Sequence, residues 1–322
     1  SDYRAPTVHT PSKSAKSGEA EEAVLHVSDV QYGKITASYD STVATERLGE
    51  LARRVATCIE RHRSYARIDT LHIYLGGDIV EGELIFPHQP HLIDQSVFDQ
   101  AVRGAPEACA KLVLDLAQVV QNVRVVAVSG NHGRPAGKHA GSNPRTNWDS
   151  VCYDVARLIA LGPKGRESAL AKRVHWANAE HFYAVNQVAG WTHLLVHGHQ
   201  ISGWAGIPFY GINRKAAKWS MSIPRALRSA GMPIDGWDAL YMGHFHTYTS
   251  GFVVDRPWYV NGTVESDNDF ALEEMGEAGS PVQRLQFWRK DMGLVADRPI
   301  YLDRGVRKVR APHGKNRKRR AA

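Results

Sequence analysis

Residues that can bind metal ions recur in this 322-residue chain at the ends of apolar runs. Asp29 follows Ala23–Ser28, and Asp78 follows Leu71–Gly77. Asn131 and His132 follow Val123–Gly130, His197 follows Thr192–Val196, and His244 and His246 follow Trp237–Gly243. Short apolar runs of this kind read as buried strands. Five strands delivering Asp, Asp, Asn-His, His and His-x-His to one rim would build a site for two metals. Two metals held close together clamp and activate oxygens in phosphoryl displacement. Carboxylates, imidazoles and an amide oxygen form a shell suited to Mn²⁺, Fe or Zn²⁺. Asp78 is the bridging candidate, because one carboxylate can offer an oxygen to each metal.

The elements that must position these groups alternate. A strand over Ala23–Ser28 precedes a helix from Thr42 to about Ala66, on which Leu48, Leu51, Val55, Cys58 and Ile59 share a face. A strand over Leu71–Leu75, a helix from Gln95 to Val120 and a strand over Val123–Val128 follow. Strand–helix–strand–helix–strand predicts a parallel α/β unit. Another helix is expected over Asn147–Leu161. The texture then turns to short strands, at Val174–Ala177, Phe182–Val188, Thr192–Val196, Leu240–Met242, Tyr248–Val254, Trp258–Val260 and Gln283–Trp288. One helical stretch interrupts them, Asn213–Ser229, with a break or kink expected near Pro224. The expected architecture is α/β, with two β-sheets packed face to face and helices outside, in a single domain over 23–303. Residues 1–22 read as a flexible arm and 304–322 as a disordered tail.

The motifs Asp29-Val30-Gln31, Gly77-Asp78-Ile79-Val80, Gly130-Asn131-His132-Gly133, Val196-His197-Gly198-His199 and Gly243-His244-Phe245-His246 together resemble those of the calcineurin-like metallophosphoesterase family. The resemblance spans roughly Leu25 to Gly262 and implies a four-layer sandwich holding two divalent ions, Mn²⁺ foremost. It implies that Asp29, Gln31 and His246 complete the first site around Asp78, and that Asn131, His197 and His244 complete the second. It also implies that His132 stands outside the metal shell and faces the phosphate as general acid or charge stabiliser, a role suited to an imidazole. Two departures stand out. Gln31 replaces the usual histidine, so either the first site is weaker or Gln31 only hydrogen-bonds a metal water. Gly133 replaces an acid that would orient His132. His199 reads as a supporting or structural group. Segments at 260–265, 270–276 and 280–283 loosely resemble phage-encoded members, and Asn261-Gly262 reads as a structural turn.

Charge points toward a polyanion. The chain carries +7 overall, but 304–322 holds nine Lys or Arg and no acid; subtracting those nine leaves −2 for the rest. Such a tail could grip nucleic acid. The loop after Asn131 is small and basic, and Arg134, Lys138 and Arg145 are its candidate substrate-phosphate contacts. Glu81 and His88 follow Asp78 closely enough to reach the site, though neither is assigned as a ligand. On the stretch from Asn213 to Arg228, five basic residues flank Trp219, which either stacks on bases or, as the favoured reading, packs inward. Cys58, Cys109 and Cys152 read as buried thiols of a reducing cytoplasm. No apolar stretch approaches the roughly 18 residues of a membrane span, and the first residues lack a signal-peptide core. These features favour a cytoplasmic (host-cytoplasmic, if phage-encoded) phosphodiesterase or nuclease acting on nucleic acid. The alternatives are a phosphodiesterase for small or cyclic nucleotides, and a metal-poor binding scaffold of the same fold.

Overall fold

The structure, a computed structural model, describes residues 19–137, 143–163, 168–202, 206–266 and 280–303. Lys138, the tail 304–322 and most of the expected N-terminal arm therefore lie outside the described residues.

Two mixed sheets stack face to face. The first has the order β11(Gly293–Tyr301)-β10(Val282–Arg289)-β1(Ala20–Val27)-β2(Arg67–Leu75)-β3(Asn122–Ala127)-β4(Val174–Asn178). Strands β1 to β4 run parallel, and β10 and β11 are antiparallel additions at one edge. The second has the order β5(Tyr183–Val188)-β6(Trp191–Val196)-β7(Ala239–Met242)-β9(Arg256–Val260)-β8(Thr249–Val253), with β6, β7 and β9 parallel.

Strand alternation explains the layering. In β1, Ala23, Leu25 and Val27 belong to the core shared with helices α1(Ser41–His62), α3(Ala105–Ala117) and α4(Trp148–Leu161). Val24, on the opposite face, joins Tyr74, Val126, Leu195, Tyr241 and Trp288 between the sheets. Helix α5(Phe209–Ser229) covers the second sheet through Ile212, Ala216, Trp219 and Ile223. The result is helix, sheet, sheet, helix, the expected two-sheet α/β architecture. Trp219 is a core residue of that outer layer.

Several boundaries differ from expectation. Strand β1 begins at Ala20, inside the residues assigned to the arm, because Glu21 and Glu22 pair with Arg289 and Trp288 of β10. The second helix is not uniform: one turn, α2(Val97–Asp99), passes into a π-helical turn over Gln100–Gly104 before α3. Its side chain Gln100 accepts from the Gly82 amide at 2.9 Å, tying this irregular turn to the loop behind Asp78. Helix α5 starts at Phe209 and runs without interruption through Pro224. Strand β4 closes the far edge of the first sheet, and β11 adds a strand to which the sequence assigns no element.

Candidate metal centre

The carboxyl ends of β1, β2, β3, β6 and β7 meet at one rim, and all seven residues expected as ligands follow those ends. The chain turns sharply there. Asp29, Gln31, Asp78, His244 and His246 have φ of 54°, 48°, 51°, 72° and 53°. Among described non-glycine residues, only Ala189 and Val254 also have positive φ. Each such residue costs about 1–3 kcal/mol, so the fold holds five costly conformations at one place. Backbone hydrogen bonds hold the turns together: Asp29 N to Gly77 O (3.0 Å), Gln31 N to Asp78 O (2.9 Å) and Gly243 N to His197 O (2.8 Å). Glycines permit the close approach. A Cβ on Gly130 would overlap the Asp78 carboxylate, and one on Gly243 would overlap Asp29 and Ser28.

Asp78, His197 and His244 each bring one ligand atom to within 4.8 Å of the others. Asn131 Oδ1 is buried without a hydrogen-bond partner, and Asp78 Oδ2 and His197 Nε2 are buried and paired with each other. His197 Nδ1 donates to the Gly76 carbonyl at 2.8 Å, which leaves Nε2 aimed at Asp78 Oδ2, 2.8 Å away. Asp78 Oδ1 is separately engaged by the His132 amide at 2.7 Å. Unpartnered buried acceptors are costly. One carboxylate, one amide oxygen and two imidazoles are a donor set that fits a divalent cation such as Mn²⁺, Fe²⁺ or Zn²⁺. Burial and the neighbouring His197 push His244 down to about 3, keeping its ring neutral. Burial works against charge on His197 as well, but Asp78 outweighs it and lifts that ring to about 9. Asp78 itself is held well below the usual carboxylate range, since His197 and His132 overcome the effect of burial.

The other expected ligands are arranged differently. Asp29 accepts from Ser28 Oγ at 2.6 Å and from the His244 amide at 3.0 Å. His246 Nε2 lies 3.3 Å from Asp29 Oδ1, and its Nδ1 lies 2.9 Å from Glu265 Oε1. The Gln31 amide oxygen accepts from Lys34 Nζ at 2.9 Å, and Lys34 also pairs with Glu265. The Gln31 amide nitrogen faces Nε2 of His132 and of His246, each at 3.4 Å. His199 keeps its ring 5.4 Å from that of His197, with Nδ1 unpartnered.

His132 stands beside this cluster, its Nε2 4.0 Å from Asp78 Oδ2. Its Nδ1 lies 3.1 Å from Glu81 Oε2 and 3.2 Å from the Glu81 carbonyl. Gln89 Nε2 braces Glu81 from behind, donating to Oε1 at 3.0 Å. Glu81 thus supplies the acid missing at Gly133. Burial opposes charge on His132, yet Glu81 and Asp78 together raise it to about 9. Glu81→Gln is expected to lower that pKa by ~1 unit or more. A general acid must be protonated, so the alkaline limb of kcat/KM should move to lower pH. A pH–rate profile with an unmoved alkaline limb would remove Glu81 as the positioning residue of His132.

Of the basic-loop candidates, Arg134 is half-buried and within electrostatic reach of Asp78. Arg145 is exposed and points Nη2 at Asp154 of α4, 4.0 Å away; Lys138 lies outside the described residues. His88 is exposed. Four functional residues escaped sequence reasoning: Lys34, Glu265, Asp149 and, as a partner of His132, Glu81. Asp149 accepts from the backbone N–H of Asp78 (2.9 Å), Ile79 (3.0 Å), Val80 (3.1 Å) and Gly130 (2.8 Å). It clamps two ligand loops with one carboxylate.

No family model matches the chain, and no curated protein matches it. Among solved structures it is similar to an archaeal phosphodiesterase, at 11% identity over 87% of this chain and 99% of that one, with a TM-score of 0.37. It is also similar to vacuolar protein sorting 29 from Cryptosporidium parvum, at 15% identity over 88% and 100% of the two chains and a TM-score of 0.36. The Entamoeba histolytica form of that protein, solved with Zn²⁺, is 13% identical over 87% and 99%, with a TM-score of 0.32. Likeness at this level carries no chemistry; the side chains described above carry it. Among the described residues, no helix is long and apolar enough to cross a membrane.

Proposed function

We propose that this protein is a metal-dependent phosphodiesterase of the calcineurin-like metallophosphoesterase kind, acting on nucleic acid with Mn²⁺ as the preferred ion. The observation that carries this is the convergence of Asp78, His197 and His244, each with a ligand atom within 4.8 Å of the others, together with the buried, unpartnered Oδ1 of Asn131 at the end of the neighbouring strand β3. These four residues would hold the cation. When bound, a divalent cation supplies Lewis-acid polarisation of a phosphoryl oxygen and makes a nucleophile available near neutral pH.

The chain's own residues supply the rest. His132, charged through Glu81, presents Nε2 to the same space and can give its proton to the departing oxygen. Phe86 sets its ring edge-on to His132, with centroids 5.8 Å apart. Arg134 brings a guanidinium into the field of Asp78, placed to pair with phosphate oxygens. On the outer face of α5, Lys215, Lys218 and Arg225 border an open groove with Met221. That groove and the basic sequence at 304–322 support a polynucleotide substrate over a small nucleotide.

The test is a panel of substrates with chelator-stripped and Mn²⁺-loaded protein: single- and double-stranded DNA, RNA, cyclic nucleotides and a chromogenic diester. Metal-dependent cleavage of a polynucleotide is expected. Deleting 304–322 should leave turnover of the chromogenic diester unchanged. It should also make the salt dependence of nucleic-acid binding shallower, by roughly 0.7 to 0.9 in log–log slope per lost phosphate contact. Cleavage of cyclic nucleotides alone would reassign the substrate, and metal binding without any hydrolysis would leave a binding scaffold.

A further inference from the structure

The two halves of the rim differ in what their polar atoms already do. In the half around His197, Asn131 Oδ1 is buried without a partner, and Asp78 Oδ2 and His197 Nε2 face each other at 2.8 Å. In the half around Asp29, the groups form a closed ring. Asp29 reaches His246, His246 reaches Glu265, Glu265 reaches Lys34, Lys34 donates to Gln31, and Gln31 returns to His246. The Lys34 side chain is 14% exposed and that of Glu265 is 2% exposed, so this is an interior ion network.

The ring fixes the orientation of Gln31. Its oxygen, the atom that could ligate a cation, is taken by the Lys34 ammonium at 2.9 Å. Turning the amide over would set its NH₂ against that ammonium. As placed, the amide nitrogen lies 3.4 Å from Nε2 of His132 and 3.4 Å from Nε2 of His246. A dication at this position would meet a donor instead of an acceptor, with a fixed positive charge one amide away, and like charges at such separations repel strongly in a protein interior.

We propose that the protein binds one divalent cation, through Asp78, Asn131, His197 and His244, and that the Lys34 ammonium closes the position that Asp29, Gln31 and His246 would otherwise give a second. This rests on the metal-dependent reading above. Lys34 supplies in permanent form a positive charge that a second metal would bring, and Glu265 anchors it. Gln31 is then the residue that accommodates Lys34, since an imidazole in its place would offer the ammonium no amide oxygen.

Metal counting tests this on the full chain. Chelator-stripped protein is dialysed against Zn²⁺ and bound metal is measured against protein, while Mn²⁺-loaded protein is examined by electron paramagnetic resonance. Wild type should retain one equivalent, with any second at least ~100-fold weaker, and its Mn²⁺ spectrum should show uncoupled ions. Gln31→His alone should still retain one, because Lys34 remains. Gln31→His with Lys34→Met should retain two, with an exchange-coupled spectrum. Two equivalents of comparable affinity in wild type, or coupled Mn²⁺ ions there, would overturn the proposal. No retained metal in wild type would overturn the metal-dependent reading and the proposal with it. The wild-type count decides the matter even if a variant fails to fold.

Discussion

Replacing Asp78 by Asn is expected to reduce metal-dependent turnover of a chromogenic phosphodiester by ~10³-fold or more while leaving the protein folded. Oδ1 of Asp78 has a structural task, accepting the His132 amide at 2.7 Å, and an asparagine oxygen can do the same. Oδ2 pairs with His197 Nε2 at 2.8 Å. An amide NH₂ there would donate to His197, satisfying the pair without metal. The substitution therefore removes the one negative ligand of the proposed cation and fills its place with a donor. Lewis-acid stabilisation amounts to several kcal/mol of barrier, and each 1.36 kcal/mol is a factor of ten. Turnover within tenfold of wild type, in protein with an unchanged circular dichroism spectrum, would contradict this assignment.

The second large effect is on stability. Asp149→Ala is expected to destabilise the fold by ~4 kcal/mol or more, read as a shift of the urea midpoint at constant slope. Asp149 is fully buried, and its carboxylate accepts four backbone N–H groups from the Asp78 and Asn131 loops. Alanine would leave those donors without acceptors, and each buried unsatisfied donor costs roughly 1–3 kcal/mol. Whole-domain stability is only about 5–15 kcal/mol, so much of the population should unfold. Asp149→Asn keeps one acceptor oxygen but turns an NH₂ toward two of the donors, and should fall between. A midpoint shift below ~1 kcal/mol for the alanine variant would mean that water replaces the carboxylate and that the loops do not depend on it.

The sequence revealed the rim well because parallel strands end on the same side. An apolar run followed by Asp, Asn or His reports both the strand and the place where its side chain emerges. Glu265 obeys the same rule, five residues beyond β9, the third parallel strand of the second sheet. Within the segment 260–265 it carries no signal of its own, because its partners, His246 and Lys34, are remote in sequence. Lys34 itself gave no signal: a lysine three residues beyond Gln31 reads as a surface charge, and only the fold shows it beside Glu265. Asp149 was hidden for a different reason. An acid in the first turn of α4 looks like a response to the helix dipole, whereas it is the hydrogen-bond acceptor for two distant loops. Glu81 lies three residues past Asp78, and whether it faces His132 depends on the left-handed turn at Asp78, which the sequence does not encode locally. The π-helical turn at Gln100–Gly104 and the continuity of α5 through Pro224 likewise depend on tertiary packing. Residue-type periodicity carries no information on either.

Asp78, Asn131, His197 and His244 are proposed to hold a catalytic divalent cation. Anomalous diffraction from crystals grown with Mn²⁺ tests this most directly. A strong anomalous peak bonded to Asp78 Oδ2, Asn131 Oδ1 and one ring nitrogen each of His197 and His244 is expected, with Lys34 still on Gln31. A peak absent from that cluster, or present only at sites remote from these four residues, would contradict it.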